Sequence, residues 1–87
     1  SSYAIPTKDK DLKVLSLSDI QQYVDNFLDY ATDHPQLDFK VTRIGCGLAG
    51  YSNEDIAPLF RSAPDNCLFD EKWRNILGND FKYWGTM

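Results

Sequence analysis

The chain predicts an α/β fold: a largely parallel sheet with helices on its faces, in the order β-α-β-α-β-α. Three observations lead there. Short apolar runs alternate with segments of helical periodicity. One of those segments is strongly amphipathic, with Ile20, Tyr23, Val24, Phe27, Leu28 and Ala31 on a single face. A glycine-bearing loop, Gly45-Cys46-Gly47-Leu48-Ala49-Gly50, then joins a strand to a helix, as parallel units require.

The elements follow in order. Tyr3 to Ile5 reads as the end of a strand closed by Pro6, and Thr7 to Leu12 as a charged loop. Ser16 is placed to cap the amphipathic helix, with Asp19 at its third position and Leu15 and Ile20 spaced as a hydrophobic staple. Pro35 ends that helix, one residue early, because the residue before a proline avoids helical angles. Phe39 to Ile44 is the next strand. A short helix carrying Ile56, Leu59 and Phe60 follows the glycine loop. Its start is open between a Ser52 cap, which strands Pro58 inside the helix, and a start at Asp55, which leaves Pro58 in the first turn. Pro64-Asp65-Asn66 turns the chain into a strand, Cys67 to Phe69. Glu71 to Leu77 is a final helix ended by Gly78, and residues 79–87 form an aromatic tail.

Eighty-seven residues make one domain, 1–87, with a small core. The chain begins Ser1-Ser2 without a Met, inside an expected strand, so it reads as an incomplete domain cut from something longer. A net charge of −4 argues against a nucleic-acid surface or an anionic-membrane binder. No apolar run approaches the ~20 residues that span a bilayer, and no signal peptide is evident, so a cytoplasmic location is expected. Cys46, Cys67 and the lone His34 fit no zinc or redox spacing; no metal and no cofactor are expected, and both thiols are read as reduced.

Glycines let backbone amides approach a ligand, and a helix start adds free N–H groups; together they suit an anion such as phosphate. A tight turn explains one glycine more easily than three within six residues. Tyr51 suits a stack on a sugar or base equally with a staple against Ile56. Lys8, in a Lys-Asp-Lys-Asp run, reads as a solvated lysine before it reads as a nucleophile. Cys46 reads as a small residue in a tight loop, His34 as a partner for free helix carbonyls, and Glu54 and Asp55 as caps. Trp73, Tyr83 and Trp84 are packing anchors or interface residues.

The run Ile44-Gly45-Cys46-Gly47-Leu48-Ala49-Gly50-Tyr51 resembles the second ligand loop of macrodomains, the ADP-ribose-binding fold, with Gly47, Gly50 and Tyr51 in register. Arg43-Ile44-Gly45-Cys46-Gly47-Leu48 is closest to the subgroup that removes ADP-ribose from proteins or DNA. Tyr3-Ala4-Ile5-Pro6-Thr7-Lys8 resembles the strand and lysine of that subgroup. The chain is similar to the back half of bacterial and phage macro-like proteins, whose preceding segment supplies the first ligand loop. The resemblance implies that Gly45, Cys46, Gly47, Leu48, Ala49, Gly50 and Tyr51 wrap the diphosphate and distal ribose of ADP-ribose or a related nucleotide. It also implies Lys8 as the catalytic residue of any ADP-ribosyl hydrolysis. Ala49 stands where lysine-using members carry an acidic residue, so binding is expected ahead of turnover. The alternative is a non-enzymatic assembly module acting through an exposed sheet edge and the aromatic tail. Either way, a homodimer or a complementing chain is expected to cover the edge.

Overall fold

Ser16 opens the longest helix, α1 (Leu17–Asp33), its hydroxyl accepting from the Asp19 amide as the sequence predicts. The computed structural model describes residues 5–46 and 50–86. Helix α1 buries Ile20, Val24, Phe27, Leu28 and Ala31; Tyr23, at the margin of the same stripe, stays 42% exposed. His34 closes the helix one residue before Pro35, its ring stacked on Tyr30 and its Nδ1 2.7 Å from the Tyr30 carbonyl.

The sheet has three strands, β1 (Phe39–Lys40), β2 (Cys67–Asp70) and β3 (Lys82–Gly85), ordered β1-β2-β3 and all parallel. The fold is therefore α/β, as expected. Between β1 and β2 run α2 (Asn53–Ile56) and a 3₁₀ turn, Ala57–Phe60. Between β2 and β3 run a 3₁₀ turn, Glu71–Trp73, and α3 (Arg74–Leu77), ended by Gly78. The open question about Pro58 is answered by a change of helix type. Ser52 caps α2, and Pro58 then enters the first turn of the 3₁₀ segment, where a missing N–H costs nothing.

Alternation along the strands sends Phe39, Val41, Cys67 and Phe69 to one face. The core lies there, as a chain of edge-to-face and tilted rings: Phe27 on Phe39, Phe27 and Phe69 on Phe60, and Trp73 against both Phe60 and Phe69. Parallel sheets are usually covered on both faces. Here the opposite face carries Lys40, Leu68 and Lys82, with the Trp84 ring against the Lys40 ammonium.

Two expectations change. Residues 81–84, read as an aromatic tail, include most of strand β3, with Phe81 packed on Phe69. And the strand expected over Phe39 to Ile44 pairs only to Val41, whose N–H reaches the Leu68 carbonyl. The Trp84 indole N–H takes the Val41 carbonyl at 2.9 Å, and a bond from the Ile44 N–H to the Thr42 carbonyl then turns the chain away. Trp84 can do this because a bulge between Phe69 and Asp70 of β2 leaves it without a partner in the register, which passes from Tyr83 to Gly85. Lys40 Nζ sits 4.0 Å above the indole ring. The first strand expected, Tyr3 to Ile5, lies outside the described residues except for Ile5, which is not in a strand.

Replacing Trp84 with Phe keeps a ring and removes the indole donor. The variant is expected to lose about 1–2 kcal/mol, the worth of a bond to a carbonyl left unmet. Urea unfolding checks this: the midpoint should fall with an unchanged slope, whereas an unmoved midpoint would show that the indole bond adds nothing.

Candidate functional site

The glycine loop begins at Gly45, after the chain has left β1 and turned between Thr42 and Ile44. Its base is closed by the Tyr51 N–H donating to the Gly45 carbonyl at 2.9 Å, with the Cys46 N–H reaching back to the Arg43 carbonyl. Gly45 (φ 73°) and Gly50 (φ 83°) both lie in the left-handed region. A Cβ on Gly45 would meet Ile56, Thr7 and Tyr51 at an ordinary 3.5 Å, and one on Gly50 would meet nothing within 4 Å among the described residues. Backbone conformation, not crowding, is what calls for glycine at both ends of the loop. Gly47, Leu48 and Ala49, which the sequence also assigns to the ligand, lie outside the described residues.

Segment 7–15 docks against this base. It folds back on itself through an antiparallel bridge between Lys8 and Val14, with the Leu15 N–H on the Thr7 carbonyl at 2.8 Å. The Asp9 carboxylate accepts from the Asp11 and Lys13 amides, so the charged run is an organised turn as well as a solvated one. The Tyr51 hydroxyl donates to the Leu15 carbonyl, and Thr7 faces Gly45. Segment 7–15 thus lies beside the described base of the glycine loop. Lys8 itself is exposed, and no ion pair is made to it among the described residues. Tyr51 is half-buried and its hydroxyl is committed within the fold.

The helix after the loop offers less than expected. Helix α2 has four residues, and a reciprocal capping box occupies its start: Ser52 Oγ accepts from the Asp55 amide, and Asp55 Oδ2 accepts from the Ser52 amide. Glu54 and Asp55 already place negative charge in its first turn. An anion at the loop would therefore depend on the loop's own amides.

Sequence reading missed a polar cluster at the same end of the sheet. Asp70, at the end of β2, is 1% exposed; its Oδ2 receives Arg43 Nε at 3.3 Å and its Oδ1 the Lys72 amide at 2.9 Å. Asn53 Oδ1 accepts from Trp73 Nε1 at 3.0 Å and lies 3.5 Å from Arg43 Nη1. These bonds tie the segment leading into the loop to β2, α2 and the core tryptophan. A signal was present: an Asp ending an apolar strand and capping the turn that follows.

Neither thiol is poised for attack. Burial pushes the Cys46 thiol up against a smaller opposing pull from Arg43, and Asp55 and Glu54 push it the same way as burial. Burial alone raises Cys67 to about 11. His34 pairs with helix α1, as the sequence predicts, away from any catalytic partner. Among the described residues, no three His, Cys, Asp or Glu side chains come together to hold a metal ion, and no helix is long and apolar enough to cross a membrane. Comparison of the chain with protein-family models, with curated proteins and with solved structures finds no match.

Proposed function

We propose that this chain binds ADP-ribose or a related nucleotide diphosphate through the loop from Gly45 to Tyr51, in the manner of a macrodomain. One observation carries the reading. At the carboxyl ends of parallel strands, two left-handed glycines and the Tyr51–Gly45 bond hold a loop closed at its base. Ligands of open parallel sheets bind at that end, and backbone amides in such turns receive phosphate oxygens. The loop motif and its resemblance to macrodomains supply the ligand class. Binding is favoured over turnover: Lys8 is exposed, no ion pair is made to it among the described residues, and the sequence has Ala49 where the lysine-using subgroup has an acid.

Amide NMR titration with ADP-ribose, using AMP and inorganic phosphate as controls, tests the reading. Shifts are expected at Gly45, Gly47, Gly50 and Tyr51 with ADP-ribose. Gly50→Val forces a branched side chain into left-handed angles, at about 1–2 kcal/mol, and its Cβ meets no described residue within 4 Å. That variant should stay folded and lose at least about tenfold in affinity, which is about 1.4 kcal/mol of binding. A well-dispersed spectrum unmoved by ADP-ribose would overturn the proposal.

A second reading, assembly through a sheet edge, has its own support. Residues of β1 and its continuation line a cavity of about 50 Å³, together with Ile5, Phe27 and Ile44. No strand pairs with the edge of β1 away from β2 among the described residues. A second copy or a complementing chain would seat there. Sedimentation equilibrium separates the two readings, since a monomer that binds ADP-ribose retains only the first.

A further inference from the structure

A diphosphate entering the glycine loop meets an unfavourable field. The chain carries −4 overall, and Glu54 and Asp55 follow the loop directly. Their charge is felt inside it, at the Cys46 thiol, together with an opposing contribution from Arg43. The four-residue α2 does not redress the balance, because side chains already occupy its Ser52 and Asp55 amides. Neutral amides would have to hold two phosphates against neighbouring carboxylates. A fixed cation is the missing component.

Arg43 meets the description. It stands two residues before Gly45, and its guanidinium is gripped at Nε by buried Asp70 and approached at Nη1 by Asn53, which Trp73 holds in turn. Its Nη2 has no partner among the described residues, and the side chain keeps 24% of its exposure. A guanidinium clamped on one side has already lost its rotamer freedom, and its open edge presents planar donors suited to phosphate oxygens.

We propose that Arg43 is the ionic anchor of the ligand site, its open guanidinium edge pairing with the diphosphate of the nucleotide received by the glycine loop. This rests on the nucleotide-diphosphate reading above and adds the group that makes it electrostatically feasible. Asp70 and Asn53 act as positioning residues that hold the anchor.

Calorimetric titration of ADP-ribose into the wild-type chain, Arg43→Gln and Arg43→Lys, at about 50 mM and about 300 mM salt, tests it, because screening weakens a charge contact and spares neutral ones. Arg43→Gln is expected to bind about tenfold or more weakly at low salt, the scale of a charged hydrogen bond, and to lose most of the wild-type salt dependence. Arg43→Lys should retain that salt dependence. Unfolding midpoints recorded alongside separate lost binding from lost folding. In the wild-type chain, the Arg43 Nε–H resonance should also shift on adding inorganic pyrophosphate, a readout independent of any variant. Wild-type affinity and salt dependence in Arg43→Gln, or a pyrophosphate-insensitive Nε–H, would overturn the anchor while leaving the loop reading intact. Equal weakening of both variants with the salt dependence unchanged would reduce Arg43 to a structural ion pair. A wild-type chain that binds neither ADP-ribose nor pyrophosphate would overturn the loop reading and the anchor together.

Discussion

Trp73→Ala is expected to destabilise the chain more than any other single substitution considered, by about 3–5 kcal/mol. The side chain is fully buried, tilts against Phe60 and Phe69, and gives its indole N–H to Asn53. Truncating a buried tryptophan costs about 3–5 kcal/mol through lost transfer energy and the cavity left behind. The lost indole bond also leaves Asn53 Oδ1, among the described residues, with only the longer Arg43 contact. A domain of this size holds only about 4–13 kcal/mol in all, so one substitution removes a large part of it. Urea unfolding followed by circular dichroism gives the answer directly, and Trp73→Phe separates the two contributions. That variant keeps most of the packing and should lose about 1–2 kcal/mol. An alanine variant with a wild-type midpoint would mean the ring chain from Phe27 to Trp73 is not the core of the fold.

Asn66→Asp should be nearly as damaging, although it changes the side chain's shape hardly at all. Asn66 Nδ2 donates to the carbonyls of Ala31 (2.9 Å), His34 (3.1 Å) and Leu37 (2.9 Å), and the Asn66 carbonyl accepts from the Phe39 amide. One amide nitrogen thus closes the end of α1 and fixes the entry to β1. A carboxylate there would face three carbonyl oxygens from a buried position, without donors. Leaving such groups unmet costs about 1–3 kcal/mol each, so a loss of about 3 kcal/mol or more is expected. The sign of the pH dependence follows. Burial and the carbonyl dipoles raise the pKa of the introduced acid in the folded state above its unfolded value of about 3.9. The unfolded state then binds fewer protons across that window, so stability falls as pH rises through it and recovers on acidification toward about pH 4. Thermal melts of the variant at several pH values would show this recovery, and a pH-independent deficit would point to altered shape instead. In the native chain, Asn66 Oδ1 is buried without a partner among the described residues, so the observed bonds of the amide are those its Nδ2 donates.

The parts of the fold that were legible are those decided within a turn or two of chain. Helix α1 could be read because its cap, its apolar stripe and Pro35 all lie inside one segment. The start of α2 was legible only as two alternatives, because the Ser52 cap and Pro58 conflicted until the change of helix type resolved them. What could not be read depends on distant partners. The early end of β1 is decided by the indole of Trp84, 43 residues on, and the setting of Arg43 by Asp70, 27 residues on. Strand β3 is a different case. Phe81 and Tyr83 alternate with Lys82 and Trp84, the period of a half-buried strand, and the density of aromatic residues hid that alternation.

The unpaired residue in β3 has a consequence for assembly of the chain. Parallel strands as short as these contribute few backbone bonds, so little in the backbone opposes sliding by one residue. Such a slip would turn Lys82 toward Phe69 and Phe60 and carry Tyr83 away from its bond to the Gly78 carbonyl. The indole of Trp84 would at the same moment lose both Val41 and the ammonium of Lys40. The irregularity therefore works as a registration pin: only one alignment of the last strand satisfies the lysine, the tyrosine and the tryptophan together.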